Sequence, residues 1–435
     1  MPDLLETIAD SLERSPLVHF YETGLRAHSG LFLKLLTMEA VGPDRQVKLN
    51  GRWVVNFGSD SFLGLDQDPR VQEAVRRGLD RWGTHNGTSR AFSSVAANFE
   101  AERKLASWLQ AETTLIYPSV TLANHGALPA LVTRHDALVV DHDAHHTVHE
   151  ALDLVRAHGI KTALFAHNDP SDLTRVLNDC QPYRHAIVAL DGIDSMTGTV
   201  SCLPELRAVA ETKAAVLYVD DAHGTGILGD RGRGTVLESL GDYRNTVVVG
   251  SLSKAFSCFG AFLACPERLR IPLEVRSGPF IFGGPVPPPY LEAVSTVVDI
   301  LNSPEYDSLR QKLQSNMDLF LAGVRPLGVK LLGGVGAVVS IVVGEEEATL
   351  AAGKELFERG YYVQSVVFPG VPHHSGLLRI QVNANHRPES VAGLVAAICE
   401  IHAAGLLPNV ASTAPFERAS RKAACPAEQG LRDSA

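Results

Sequence analysis

Short apolar runs alternate along the chain with longer segments in which apolar positions recur at helical spacing. Runs rich in valine, leucine and alanine predict β-strands. The predicted strands are Thr113–Tyr117, Ala137–Val140, Thr162–Ala166, Ala186–Leu190, Val216–Asp220, Thr246–Gly250 and Gly260–Cys265. The predicted helices are Pro69–Trp82, Ala96–Leu109, Leu122–Thr133, Thr147–Ala157, Ser171–Asp179 and Glu205–Lys213. This alternation predicts an α/β fold with a mostly parallel sheet, helices on both faces, and functional groups at the carboxyl ends of the strands.

The pattern changes at the proline-rich stretch 285–289, which precedes a long helical region reaching about Leu327. The segments that follow predict a smaller α+β unit, and they are Val329–Val343, Glu347–Arg359, Tyr361–Val367, Leu377–Asn383 and Pro388–Ala404. After Leu407 the sequence becomes polar and aperiodic, which is typical of disorder. The predicted parts are an N-terminal segment (1–55), a large domain (56–290), a small C-terminal domain (291–407) and a disordered tail (408–435).

Composition and charge narrow the class of protein. A chain of 435 residues with 45% hydrophobic residues can bury a large core and should form more than one lobe. A formal net charge of −10 argues against nucleic acid and anionic membranes as partners, because both favour basic surfaces. The six cysteines show no C-x-x-C spacing, and the first residues lack a secretory signal, so we expect a cytoplasmic protein. No apolar run reaches about eighteen residues, and we therefore expect no membrane span.

A lysine and an aspartate stand at the ends of two predicted strands. Lys254 closes the segment Gly250-Ser-Leu-Ser-Lys254 after an apolar run, and Asp220 ends the run Ala215–Val219. Burial at the mouth of a strand lowers the pKa of a lysine and frees its amine to form a Schiff base. A carboxylate nearby can pair with a protonated pyridine nitrogen, so the two residues indicate pyridoxal 5'-phosphate (PLP) chemistry. Ser-x-x-Lys alone is a weak signal, because most such lysines are solvated and the motif also occurs in β-lactamases.

A series of short motifs along residues 50–400 carries a resemblance to a known family. The motifs are Phe62-Leu-Gly64, Thr88-Ser-Arg90, Tyr117-Pro-Ser119 with Ala123-Asn124, Asp141-x-x-x-His145, Ser195-Met196 with Gly198, Asp220-Asp-Ala-His-Gly224, Ser251-Leu-Ser-Lys-Ala255, Phe280-Ile-Phe282 and Leu378-Arg-Ile380. In their order and spacing the chain resembles the α-oxoamine synthases, which join an amino acid to an acyl thioester on PLP. The combination is specific for the family, although it does not identify the member. The resemblance implies a PLP-dependent transferase of fold type I, with a large sheet domain and a smaller α+β domain.

The resemblance also implies roles around the cofactor. Lys254 would hold PLP as a Schiff base and then act as acid and base at the substrate α-carbon. Asp220 would bond the pyridine nitrogen, while His223 and Ser195 would bond the phenolic oxygen. His145 would stack on the ring face opposite the lysine and touch the substrate carboxylate. The alternative readings are a solvated aspartate and a loop histidine held by its own hydrogen bonds.

For the phosphate, the turn after Thr113–Tyr117 offers N–H groups at the start of a helix, where the helix dipole favours an anion. The expected donors are the backbone N–H groups of Val120 and Thr121 and the hydroxyls of Ser251 and Ser253. Family members take a further hydroxyl from the neighbouring subunit, at the place where this chain has Gly283 and Gly284. Their N–H groups can still contribute, and we therefore expect a homodimer with composite sites.

Two residues are expected at the substrate. Arg379 matches the arginine that clamps the amino-acid carboxylate, a bidentate task that lysine cannot copy, with a structural salt bridge as the alternative. Asp60 replaces an amide that family members commonly place near the substrate. Further departures from the family pattern are Gly83–Thr88, Ser93-Ser94, Asn98 and Val120-Thr121. Since these positions lie where the acyl chain and its carrier would approach, they favour an ordinary mechanism on an unusual acyl donor.

A histidine cluster raises a second kind of site. His142, His145, His146 and His149 recur at i, i+3, i+4 and i+7, which on a helix would bring several imidazoles to one side for a transition metal. Asp141-His-Asp follows a strand and is more typical of a loop, however, and no further cysteine or carboxylate motif completes the site. We therefore predict no metal.

The sequence predicts an acyltransferase that condenses a small amino acid with an acyl thioester of coenzyme A or a carrier protein. Carbon dioxide would be lost, and the product would be an α-amino ketone. Glycine, alanine and serine all stay open as the amino acid. The alternatives are an aminotransferase or decarboxylase of the same fold, and a non-catalytic partner subunit. The last is disfavoured because the chain keeps Lys254, Asp220 and His145 together.

Overall fold

The computed structural model describes residues 3–19 and 36–408. The first elements are α1 (Leu4–Glu13), α2 (Pro16–His19), β1 (Met38–Val41), β2 (Gln46–Leu49) and β3 (Arg52–Asn56). The apolar pattern does not predict these strands, because β1 is largely exposed and β2 and β3 bury only two residues each. The predicted disordered tail, residues 408–435, lies outside the described residues except for Pro408.

A seven-stranded sheet forms the centre of the large unit. Its strands are β4 (Thr113–Tyr117), β5 (Ala137–Asp141), β6 (Lys161–Phe165), β7 (Ala186–Asp191), β8 (Ala215–Asp220), β9 (Thr246–Ser251) and β10 (Ala261–Cys265). They lie in the order β4-β10-β9-β8-β7-β5-β6, and within this sheet β10 runs antiparallel to the rest. The predicted mostly parallel sheet is therefore confirmed, with every predicted strand within one residue of its observed ends.

Helices pack on both faces of this sheet. They are α3 (Pro69–Trp82), α4 (Ala96–Leu109), α5 (Val120–Leu131), α6 (His146–Ala157), α7 (Pro170–Asp179), α8 (Leu203–Thr212), α9 (Thr235–Leu240), α10 (Arg270–Arg276), α11 (Gly278–Phe282) and α12 (Pro288–Asn302). Strands β5 and β7 are buried along their whole length, as expected of parallel strands covered on both faces. Successive residues point to opposite sides, so Val139 packs into one core cluster and Val140 into the other.

A smaller α+β unit follows, as predicted. Its elements are α13 (Glu305–Val324), β11 (Leu331–Gly333), β12 (Val338–Gly344), α14 (Glu346–Glu358), β13 (Tyr361–Tyr362), β14 (Gln364–Val366), β15 (Gly376–Gln381) and α15 (Pro388–Ala403). Strands β11-β12-β15-β14 form an antiparallel sheet in this order. The predicted single helical region up to Leu327 is two helices, α12 and α13, because the chain leaves the helical path at Ser303 before Pro304.

The N-terminal strands join the C-terminal part of the chain. Strand β13 pairs in parallel with β3, with Tyr361 opposite Val55, which completes a sheet of order β1-β2-β3-β13. The domain boundaries at residues 55/56 and 290/291 stay predictions. Among residues 3–19 and 36–408, every helix is too short or too polar to cross a membrane.

Polar residues end several parallel strands and share one edge of the large sheet. Asp141 ends β5, Asp191 ends β7, Asp220 ends β8 and Ser251 ends β9. The register places Asp191 beside Asp220, and it places Asp220 beside Val249 of β9. The loop after β9, which carries Lys254, therefore begins next to the end of β8.

Candidate active site

Asp220 is buried at the end of β8, and each of its carboxylate oxygens has its own donor. Oδ2 accepts a hydrogen bond of 2.8 Å from Asn124 Nδ2, and Oδ1 accepts one of 3.2 Å from the Ala222 N–H. Asn124 lies on α5, and its Oδ1 accepts from Tyr218 OH at 2.9 Å, which fixes the direction of the amide. The sequence motif contained Asn124 but gave it no role. The asparagine holds the Asp220 side chain in one orientation.

His145 precedes the first residue of α6 and is fixed by the same network. Asn124 Nδ2 donates to Thr147 Oγ1 at 3.0 Å, and Thr147 Oγ1 is 2.8 Å from His145 Nδ1. The backbone N–H of Thr147 also donates to His145 Nδ1 at 3.4 Å, so Nδ1 is an acceptor and the threonine hydroxyl donates to it, which leaves the imidazole proton on Nε2. Burial lowers the pKa of His145, which favours this neutral form. The sequence analysis missed Thr147.

Asp191 is a second buried carboxylate that the sequence analysis missed. Its Oδ1 accepts a hydrogen bond of 2.9 Å from the backbone N–H of His145, so it helps to position that residue. Burial raises the pKa of Asp191 well above its ordinary range, and the neighbouring Asp220 acts in the same direction. Two carboxylates side by side in a buried setting do not both ionise readily. The sequence did contain a signal for Asp191, because this aspartate ends the strand that precedes the one ending in Asp220.

Lys254 and His223 are neighbours, as the family motifs require. Lys254 Nζ lies 3.5 Å from His223 Nδ1. Burial lowers the pKa of Lys254, and the carboxylates of Asp60 and Asp220 oppose that shift. Burial also lowers the pKa of His223 well below its usual value, with Lys254 and Arg379 acting in the same direction. The site therefore contains a lysine that loses its proton more readily than a solvated one, beside a neutral imidazole.

Arg379 comes to this site from β15 of the small sheet. Its Nε donates to the Ser195 carbonyl at 2.7 Å, and Nη1 donates to Gln364 Oε1 at 2.7 Å. Nη2 lies 3.4 Å from His223 Nε2, and Nη1 lies 3.8 Å from Asp60 Oδ1. Arg379 is buried, and Ser195 contacts it through the backbone rather than the hydroxyl. All the residues expected at the lysine and at the carboxylate clamp thus come together.

The start of α5 presents backbone N–H groups that no intrahelical bond uses. Ser119 caps this helix by accepting from the Leu122 N–H at 3.1 Å. Within the described part of the chain, the N–H groups of Val120 and Thr121 have no hydrogen-bond partner. Ser251 Oγ and Ser253 Oγ lie 3.0 Å apart in the loop that also holds Lys254. Free N–H groups at a helix start suit a phosphate, and the two hydroxyls are further possible donors.

Gly283 and Gly284 follow α11, and the backbone requires glycine at both positions. A Cβ on Gly283 would lie 2.4 Å from the Pro279 carbonyl oxygen and 3.2 Å from Leu122 Cδ1. Gly284 has φ of +76°, in the left-handed region. A side chain at position 283 would therefore collide mainly with the backbone of α11 itself.

The other histidines of the cluster bind separate partners. His142 Nδ1 is 2.8 Å from Asp143 Oδ1, and His149 Nε2 is 3.1 Å from the His142 carbonyl oxygen, while His146 pairs with Glu150 at 3.5 Å. Only His146 and His149 belong to α6, so the helical arrangement of all four does not form. Among residues 3–19 and 36–408, three potential metal ligands converge at one place outside this site, at Glu345, Glu346 and His374.

Comparison with known proteins identifies the family. The sequence profile of the aminotransferase class I and II family matches residues 52–398. The 8-amino-7-oxononanoate synthase of Thermoanaerobacter pseudethanolicus is 32% identical over 365 residues, which cover 83% of this chain and 91% of that protein. The protein of the same name from Geobacter sulfurreducens is 33% identical over 373 residues, or 86% of this chain and 94% of that one. The chain belongs to the α-oxoamine synthases of this family.

The solved structures agree with this assignment. Sphingomonas wittichii serine palmitoyltransferase superposes with a TM-score of 0.84 at 26% identity, covering 91% of this chain and 98% of that chain. An 8-amino-7-oxononanoate synthase from Francisella tularensis has a TM-score of 0.68 at 21% identity, and it shares the fold. The α-oxoamine synthase is therefore a PLP-dependent acyltransferase of fold type I.

The residues at the sheet edge fit the cofactor. Asp220 offers a buried acceptor for a protonated pyridine nitrogen, and its orientation is fixed by Asn124. Lys254 offers an amine whose pKa is lowered by burial. The partner-free N–H groups of Val120 and Thr121, within the part of the chain that the structure describes, offer donors to a phosphate. Each part of PLP thus has a chemically matched group on this chain.

Proposed function

We propose that this α-oxoamine synthase condenses a small amino acid with an acyl thioester and releases carbon dioxide, giving an α-amino ketone. The observation that carries the proposal is the placement of Lys254 and Arg379 on opposite sides of His223, at 3.5 and 3.4 Å. A group that moves protons and a group that binds carboxylates are thus joined through a single imidazole. This arrangement suits an amino acid held by its carboxylate with its α-carbon near the lysine.

Specific residues would hold the cofactor. Lys254 would bind it covalently through Nζ, and Asp220 would accept from the ring nitrogen. His145 would offer the apolar surface of its neutral imidazole to the ring. His223 and Ser195 would bond the ring hydroxyl. The phosphate donors are Val120, Thr121, Ser251 and Ser253, with a weaker contribution from Gly283 and Gly284 of a second subunit. When bound, PLP supplies an electron sink that makes the amino-acid α-carbon acidic.

The chain's own groups would then bind the amino acid and move its protons. Arg379 keeps an N–H on each terminal nitrogen after its bonds to Gln364 and His223, and these can receive the substrate carboxylate. Lys254 removes and returns the proton at the α-carbon, a task helped by the lowering of its pKa through burial. Neutral His223 can bridge the two residues without adding a third positive charge.

The acyl donor would approach where this chain departs from the family pattern. Asn98 on α4 is buried, and neither atom of its amide has a partner in the described part of the chain. A buried amide without partners is costly unless a ligand or water satisfies it. We propose a coenzyme A or carrier-protein thioester as the donor. The names of the relatives suggest two acyl groups to test. 8-Amino-7-oxononanoate synthase suggests an ω-carboxylated acyl chain, and serine palmitoyltransferase suggests a long alkyl chain.

The enzyme is proposed to act as a homodimer. Several large apolar side chains near α10 and α11 are exposed on the single chain, and they are Phe92, Ile271, Val275 and Phe282. Exposed apolar side chains in one region mark an association surface. Phe282 directly precedes Gly283 and Gly284, so an interface here would bring the glycine turn of one subunit toward the other.

The deciding experiment combines single amino acids with single thioesters. The PLP-loaded protein is incubated with glycine, alanine or serine and with short, long and ω-carboxylated acyl groups on coenzyme A or carrier protein. Released thiol and carbon dioxide are measured. We expect both products to require one amino acid and one thioester together, and we expect Lys254→Ala to yield neither. If no pair releases thiol and the protein instead transfers an amino group to a 2-oxo acid, the protein is an aminotransferase and this proposal is wrong.

A further inference from the structure

We propose that Asp60 is an internal counter-anion for Arg379, and that its charge competes with the carboxylate of the amino-acid substrate. Asp60 lies in the loop after β3, and its Oδ1 is 3.8 Å from Arg379 Nη1. The same oxygen accepts a hydrogen bond from Gln381 Nε2 on β15. This inference rests on the proposed function of Arg379 as the carboxylate clamp.

The donors of Arg379 show why the position matters. Nε is bonded to Ser195, one N–H of Nη1 to Gln364, and Nη2 faces His223. One N–H on each terminal nitrogen is left, which is what a bidentate carboxylate uses. At 3.8 Å Asp60 is too far to hydrogen-bond Nη1 but close enough to attract its charge. Asp60 therefore neutralises the clamp without filling its donor positions.

Gln381 keeps Asp60 at this distance. The Gln381 side chain is buried, and its Nε2 donates to Asp60, while its Oε1 has no partner among the described residues. Two neighbouring β15 side chains, at positions 379 and 381, thus point to the same side of the strand and compete for one carboxylate. If Gln381 did not hold it, Asp60 could move onto Arg379 and block the clamp.

The Asp60 carboxylate is about half exposed, with 44% of its side chain accessible, so it can turn outward when a substrate arrives. Its charge also acts on Lys254, whose pKa it raises against the effect of burial. The charged and titratable groups that act on Lys254 are Asp60, Asp220, Asp191, Arg379, His223 and His145. The Asp60 carboxylate thus acts on both Arg379 and Lys254. Its removal can therefore be measured in two ways, through the affinity for the amino acid and through the pKa of Lys254.

The test uses full-length PLP-loaded protein and its visible absorbance. Glycine, alanine and serine are titrated at low salt into the wild type, Asp60→Asn and Asp153→Asn. The last is a matched control, because it removes the same charge from an exposed surface pair with Arg156. We expect Asp60→Asn to bind amino acids about 10-fold more tightly, since one of two competing carboxylates is gone. We expect the control to stay within about twofold of the wild type.

The second readout needs no substrate. The pH midpoint of the cofactor–lysine absorbance should move to lower pH in Asp60→Asn, because the carboxylate that favours the protonated form has been removed. Gln381→Met should have the opposite effect on amino-acid affinity, and it should have no effect when Asp60→Asn is also present. Unchanged or weaker amino-acid binding by Asp60→Asn, with an unmoved midpoint, overturns the inference. If no amino acid changes the absorbance of the wild type, the proposed function is wrong. The pH midpoint of the cofactor–lysine absorbance then still shows whether Asp60 acts on Lys254.

Discussion

Arg379 and His223 meet across the boundary of the two main sheets, with Nη2 and Nε2 3.4 Å apart. His223 is held neutral by burial, so it has one N–H and one acceptor nitrogen. A guanidinium can only donate, and the contact is attractive only when Nε2 accepts. The remaining proton then lies on Nδ1 and points to Lys254, which must be uncharged to receive it. The contact therefore links the tautomer of His223 to the protonation state of Lys254.

Arg379→Lys should weaken amino-acid binding much more than it slows turnover. A lysine offers a point charge in place of two parallel N–H groups, and it cannot reach Ser195, Gln364 and His223 at once. We expect KM for the amino acid to rise about 100-fold while kcat falls less. Steady-state kinetics check this. Arg359→Lys, at a surface ion pair, is the control, and equal losses in both variants would argue against a clamp at position 379.

Thr147→Val should reduce kcat about 5-fold to 10-fold and leave KM for the amino acid nearly unchanged. The variant keeps the shape of the side chain but removes the hydroxyl that directs a proton to His145 Nδ1 at 2.8 Å. Thr147→Ser restores that hydroxyl and should restore kcat. Kinetics and the pH profile of kcat give the measurement. If serine and valine behave alike, the hydroxyl does not position His145.

Asp221→Asn should flatten the pH dependence of stability. Burial raises the pKa of Asp221 to about 7 from an ordinary 3.8, although Thr235 N–H and Oγ1 bond to it at 2.8 and 2.6 Å. For an acid whose pKa is higher in the folded chain, the stabilising effect is complete below pH 3.8 and is lost as pH rises to about 7. Ionisation in the folded chain should cost at most on the order of 4 kcal/mol.

Urea unfolding at pH 5 and pH 8 measures the free energy of unfolding of the wild type and of Asp221→Asn. The wild type should lose more free energy of unfolding than Asp221→Asn between these two values. Because asparagine can accept from the Thr235 N–H and donate to its hydroxyl, the fold should persist in the variant. An equal pH dependence in both proteins would show that Asp221 is already ionised at pH 5.

Phe282→Asp should convert a dimer into a monomer. Phe282 is 82% exposed on the single chain, beside the glycine turn at residues 283–284. In a two-fold interface the substitution would introduce two charges into an apolar contact. Sedimentation at micromolar concentration measures the mass. Leu154→Asp is the matched control, since Leu154 is exposed on α6 and lies outside that surface. A wild type that sediments as a monomer would contradict the proposed assembly directly.

Part of the site could be read from the sequence because its residues stand at the ends of apolar strands. The strands β9 and β8 place Lys254 and Asp220, and the buried residues of both strands form continuous apolar runs in the sequence. Asn124, Thr147 and Gln364 carry no such signal. Asn124 and Gln364 act through partners that are distant in sequence, such as Asp220, 96 positions from Asn124. Thr147 lies two positions from His145, but its bond from Asn124 appears only in the folded chain.

The sequence by itself determined the seven strands of the large sheet and the six helices α3 to α8, because burial on two faces or on one stripe leaves a local period in the residue pattern. It did not predict the short helices α9, α10 and α11. Only the tertiary structure decided the order of those strands, the antiparallel direction of β10, and the pairing of β3 with β13. These depend on hydrogen bonds and packing between segments far apart in the chain, which no local period records. The same holds for Asp60, which meets Gln381 across 321 positions only after the small sheet has folded against the N-terminal strands.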